Sequence, residues 1–96
     1  AAAAQAQPEL SYKERKALEK EERTLRNRVS KAEALIAERE AALATLNEEI
    51  AATPPEDRSK ITALAYQFEQ AQRAVDDALE RWEAATEALD AFEKQA

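Results

Sequence analysis

The side chains that could do chemistry in this sequence are almost all charged. Five cations, Lys13, Lys16, Lys20, Arg23 and Lys31, recur at helical spacing in the first third of the chain. A row of that kind suits contact with phosphates, each Lys or Arg neutralising one charge without reading a base. Six acids, Asp76, Asp77, Glu80, Glu83, Glu87 and Asp90, form a comparable row in the last third. The carboxylate pairs Glu48-Glu49 and Asp76-Asp77 invite an acid–base reading. That chemistry needs a concave pocket and neighbours that hold the proton on one partner, and nothing around either pair builds one. No catalytic residue is therefore assigned, and no enzyme is expected in this chain.

Composition closes other routes. There is no Cys and no His, so no disulfide framework, no zinc site of the usual kind and no Cys/His nucleophile is expected. Without Gly there is neither a phosphate-cradling loop nor a dinucleotide-binding turn, and no cofactor or metal is assigned to this chain. No apolar run approaches the roughly 20 residues of a membrane span, and no signal peptide is visible. The reading is a soluble, cytoplasmic, all-α piece.

The elements that must position the charges follow from the apolar residues. These make up 45% of the 96 residues, but 24 of them are Ala. The few large ones cannot fill a layered core; they can fill one seam between two helices. Leu18, Leu25, Val29, Ala32, Ile36, Leu43, Leu46 and Ile50 fall on alternating spacings of three and four, interrupted by Glu22 and Arg39. Ile61, Leu64, Phe68, Ala71, Val75, Ala78, Trp82, Ala85, Leu89 and Phe92 continue the pattern without a charge. Sustained a/d spacing of this kind is the mark of a coiled coil.

Between the two stretches lies Thr53-Pro54-Pro55-Glu56-Asp57-Arg58-Ser59-Lys60. Residues before proline leave the α region, so the first helix is expected over about 12–52, the loop over about 53–59 and the second helix over about 60–95. Ser11 with Glu14 reads as a capping box opening the first helix, and Thr53 with Glu56 as one opening the second, with Asp57 and Ser59 as rival caps. So short a connection makes the helices antiparallel neighbours. The fold class is all-α, an antiparallel two-helix coiled-coil hairpin over residues 11–96, and 1–10 is a linker or disordered tail. Volumes favour a register that sets Ile36 by Ala78, Ala32 by Trp82 and Val29 by Ala85, large against small. The neighbouring register puts Trp82 by Leu25 instead.

Heptad letters sort the charges. With Leu18 at d, Lys13, Lys16, Lys20, Arg23 and Lys31 all fall on the outward b, c and f positions. The six acids of the second row are also outward, on the other helix. Lys and Arg near a helix N-terminus oppose the macrodipole, a placement that stability alone does not favour. Trp82, Phe68 and Phe92 are read as seam residues, Tyr66 as exposed, and Glu22 and Arg39 as polar interruptions that set register.

Two short segments resemble a known family. Leu10-Ser11-Tyr12-Lys13-Glu14, opening a long charged helix, looks like the start of the C-terminal domain of ABC-F family ATPases of the Uup type. Glu80-Arg81-Trp82-Glu83, late in the second helix, resembles the second recurring signature of that domain. The resemblance spans about Glu9 to Ala96, and the Ala/Gln-rich start resembles the linker after the second ATPase domain. It implies a parent chain with two ATP-binding cassettes and no transmembrane domain, cytoplasmic, ribosome-associated and linked to DNA through the coiled coil. ATP would then be bound by domains of the parent outside this chain. Of the five cations only Lys13 lies in a matching motif; Lys16, Lys20, Arg23 and Lys31 rest on heptad geometry. The function expected is a non-catalytic, monomeric arm contacting DNA or ribosomal RNA weakly through the basic stripe and resting on its own ATPase domains. The alternative is a structural hairpin that docks on a protein through flanking apolar residues such as Leu35 and Leu79, without nucleic acid.

Overall fold

The structure is a computed structural model and describes residues 10–95. The expected tail over residues 1–10 lies, except for Leu10, outside the described residues. Helix α1 runs Tyr12–Ala52 and α2 runs Arg58–Gln95, 41 and 38 residues long. At about 1.5 Å per residue each is roughly 60 Å long. The two pack antiparallel along their lengths as an all-α hairpin.

Each end has an identifiable cause. Ser11 is extended, and its hydroxyl accepts the Glu14 N–H at 3.1 Å, while its carbonyl accepts the Arg15 N–H at 2.9 Å. α1 stops where Thr53, extended ahead of Pro54, turns its own N–H back to the Ile50 carbonyl at 3.1 Å. The Thr53 hydroxyl donates to the Glu49 carbonyl at 2.6 Å, which lets this polar side chain be buried at the tip. Thr53 therefore ends the first helix and does not cap the second. The cap of α2 is Asp57: its carboxylate accepts the Lys60 N–H at 3.2 Å and its carbonyl accepts the Ile61 N–H at 3.1 Å. α2 accordingly starts at Arg58, two residues ahead of the boundary expected from spacing.

The seam follows the apolar stripe. Leu25, Ala32, Leu64, Val75 and Ala78 are buried, and Val29, Ile36, Leu43, Leu46, Ile50, Phe68, Trp82, Leu89 and Phe92 are half-buried. Two helices can only cover each other on one side, so most large seam residues keep an edge in solvent. The pairing frays towards the start of α1, where Leu18 is 37% exposed. Arg39 is exposed at the edge of the seam, whereas Glu22 is half-buried.

Register is read from residues that meet across the seam. Trp82 reaches Glu33, Glu22 and Phe92 share one shallow depression, and Leu35 and Ala78 share another. All three fit the alignment that sets Ala32 by Trp82. The alternative alignment would move Trp82 a heptad along α1, about 10 Å from Glu33.

Candidate nucleic-acid interface

Lys13, Lys16, Lys20, Arg23 and Lys31 are all exposed on α1. At about 100° of turn per residue they occupy a sector of about 80°, and Lys13 to Lys31 covers roughly 27 Å of axis. The helix holds them on one side because the opposite side is committed to the seam at Leu25, Val29 and Ala32. Lys16 is the most engaged of the five. Its Nζ lies 3.6 Å from Glu19 and 5.6 Å from the centre of the Tyr12 ring. Tyr12 is 70% exposed, so this cation–π contact is on the open surface and weak. Lys13, Lys20, Arg23 and Lys31 have no ion-pair partner among the described residues. The stripe is therefore a set of largely unneutralised cations in water, available to a polyanion.

The acids Asp76, Asp77, Glu80, Glu83, Glu87 and Asp90 are all exposed on α2. They do not neutralise the basic stripe, since the two rows project away from each other. Asp76 accepts a long contact from Gln72 at 3.5 Å. Neither carboxylate pair belongs to a cluster: among the described residues no group of three or more acids is placed to hold a metal ion. No helix is long and apolar enough to cross a membrane among the described residues.

The two flanks of the seam differ in charge, a property that heptad letters on single helices do not reveal. On one flank Arg26 bonds Glu22 through two donors, at 2.8 and 3.1 Å, and lies 3.8 Å from Glu93 on α2. That hydrogen bond, followed by the charges of Glu22 and Glu93, raises the Arg26 pKa above its ordinary value. Glu33 and its bond from the Trp82 indole lie on the same flank. The other flank carries Arg28, Lys31 and Arg81 around a shallow groove of about 420 Å³, floored by Ala32, Leu35, Ala84, Ala85 and Ala88.

Of these, Lys31 alone was legible from the stripe. Arg28 and Arg81 lie on different helices and come to line one groove through the pairing of α1 with α2. Leu35 and Leu79, named together as docking residues, lie on opposite flanks. Leu35 lines the groove, while Leu79, 40% exposed, is on the Trp82–Glu33 side.

Compared with protein-family models, curated proteins and solved structures, the chain matches none.

Proposed function

We propose that this hairpin is a non-catalytic arm that contacts nucleic-acid phosphates through Lys13, Lys16, Lys20, Arg23 and Lys31. The observation that carries this reading is the exposure of all five on one side of α1, four of them without an ion-pair partner among the described residues. Nearly rigid presentation on a helix lets a row of cations meet a row of phosphates at little ordering cost. The contacts are to the backbone and not to bases: Tyr12 is the only aromatic beside the stripe among the described residues, so single-strand stacking has too few platforms. The chain's net charge of −6 keeps such binding weak and strongly salt-dependent.

The motifs at Leu10–Glu14 and Glu80–Glu83 support placing the hairpin in an ABC-F type ATPase of the cytoplasm, near DNA or ribosomal RNA. ATP chemistry then belongs to other domains of the parent, and the hairpin supplies reach and charge. The test is a titration of the 96-residue chain against duplex DNA, single-stranded DNA and ribosomal RNA over a range of salt. Each lost phosphate contact lowers the salt slope by about 0.9. Charge reversal at Lys16, Lys20 and Arg23 together is expected to lower it by about 3 and to abolish measurable binding at physiological salt. Unchanged affinity and slope in that variant would sink the proposal.

A further inference from the structure

We infer that the groove between α1 and α2 on the Arg28–Arg81 flank is a docking site for an acidic amphipathic helix of a partner protein. The groove has two chemically distinct parts. Its floor is Ala32, Leu35, Ala84, Ala85 and Ala88, and its rim is Arg28, Lys31 and Arg81. The floor explains why the occupant is a helix. Small residues at three positions of one α2 face leave a trough into which ridges of a third helix fit, at the interaxial distance of about 8–10 Å usual for packed helices. Leu35 closes one end of that trough and is only half-buried by the hairpin itself.

The rim explains the charge. In an antiparallel pair these flank positions face one another and ordinarily carry opposite signs that pair across the seam. Here Arg28 comes opposite Ala88, and Arg81 opposite Leu35, so neither guanidinium gains an acid from the other helix. No ion pair is formed by Arg28, Lys31 or Arg81 among the described residues. On a chain with 20 acids and 14 bases, three unpaired cations around one apolar trough are a local inversion of charge. An occupant with an apolar stripe flanked by Glu or Asp would bury the floor and pair the rim together. A phosphate backbone satisfies the rim and leaves the alanine floor uncovered, so the groove favours protein over nucleic acid.

The length of the trough sets the occupant's footprint. Arg28 to Leu35 and Arg81 to Ala88 each span two helical turns, about 10 Å. Two turns accommodate apolar anchors at i, i+3 or i+4, and i+7, the usual pattern of helix-in-groove recognition. Locally the hairpin becomes a three-helix bundle.

The probe is a labelled synthetic helix with one Leu stripe flanked by Glu, alongside the same helix flanked by Lys, titrated with the 96-residue chain by fluorescence anisotropy. The Glu-flanked helix is expected to bind, and the Lys-flanked helix to bind at least about ten-fold more weakly. Arg28→Glu with Arg81→Glu reverses the rim without touching the seam and is expected to reverse that preference. Ala84→Glu is expected to block the Glu-flanked helix; both variants should keep the helical circular dichroism of the parent. Charge reversal at Lys16, Lys20 and Arg23 should leave peptide binding unchanged, which separates this site from the phosphate-contacting stripe. Several results would overturn the inference. They are no binding of the Glu-flanked helix, equal binding of both helices, indifference to rim reversal, and self-association in sedimentation equilibrium that Arg81→Glu dissolves while no peptide binds. Duplex DNA affinity that falls on rim reversal, with peptide binding unaffected, would likewise reassign the rim to phosphates.

Discussion

The indole N–H of Trp82 donates to the Glu33 carboxylate at 3.4 Å, the one side-chain hydrogen bond joining the two helices among the described residues. It is long for such a bond, and Glu33 is exposed, so its energy is small. The ring matters more than the N–H. Trp82 fills the layer where α1 offers Ala32, a small residue that leaves room for it. Truncation to Ala opposes Ala to Ala and opens a gap that two rigid helices cannot close. Trp82→Ala is expected to cost about 2–3 kcal/mol, below the range for a fully buried aromatic because the ring is half-exposed. Glu33→Gln should cost less than about 0.5 kcal/mol. Urea denaturation of both variants checks this, and comparable losses from the two would contradict it.

Ala78 makes the reverse prediction. It is 1% exposed, the most enclosed residue named in the seam, and it faces the half-buried Ile36. A larger side chain has nowhere to go without pushing α1 away from α2. Ala78→Leu is expected to cost about 1–3 kcal/mol despite its gain in apolar surface. Ala84→Leu, six residues further along and exposed in the groove, should be close to neutral. A stabilised Ala78→Leu variant would show that the seam is looser than this geometry.

The hairpin was legible because the period of the apolar residues is a property of each helix alone. Leu25, Ala32, Leu64, Val75 and Ala78, the buried apolar residues, all sit on the stripe read from spacing. Exposure of the five cations follows from the same periodicity. Two things needed relations between elements. Thr53 and Asp57 are both cap-forming types, and only the chain's path decides which one ends α1 and which one starts α2. The groove is further still from the one-dimensional pattern: Arg28 and Arg81 belong to different helices, and which residues of α2 stand beside Arg28 depends on register. Leu35 and Leu79 fall on different flanking letters, g and e, and the antiparallel pairing puts those letters on opposite flanks.

The Arg26 cluster tests how much exposed charge contributes. Arg26 bridges Glu22 on its own helix and Glu93 on the other, near the frayed end by Leu18. Its pKa is raised, so any stability it confers is fully present below the ordinary arginine value and is lost only as pH rises through the folded one. Both lie far above neutrality, and this contribution should be flat between pH 6 and 9. Glu93→Gln is expected to lower the melting temperature slightly at low salt and not at all at about 1 M salt, where screening acts within about 3 Å. A melting-temperature difference that persists at high salt would mean that Glu93 contributes through packing and not through charge.

Asp57 carries the last prediction, because two functions of the tip depend on it. Its carboxylate accepts the Lys60 N–H, and its position lets the Pro54-Pro55 turn deliver the chain directly into α2, with the Asp57 N–H bonded to the Pro54 carbonyl at 3.0 Å. Two prolines remove backbone donors and restrict the chain ahead of them, so the turn is stiff before it is capped. Asp57→Ala removes the cap but keeps the turn, and is expected to cost about 1 kcal/mol. Asp57→Asn keeps an oxygen acceptor at the same place and loses only the charge beside the helix N-terminus, a cost of about 0.3–1 kcal/mol at most. Thr53→Val should cost more than Asp57→Asn, since it removes the hydroxyl bond that the buried Thr53 side chain makes to the Glu49 carbonyl. The order to be measured by urea denaturation is therefore Asp57→Asn least, then Asp57→Ala and Thr53→Val. If Asp57→Ala and Asp57→Asn lose equal stability, the carboxylate does not cap α2 and the turn alone sets its start.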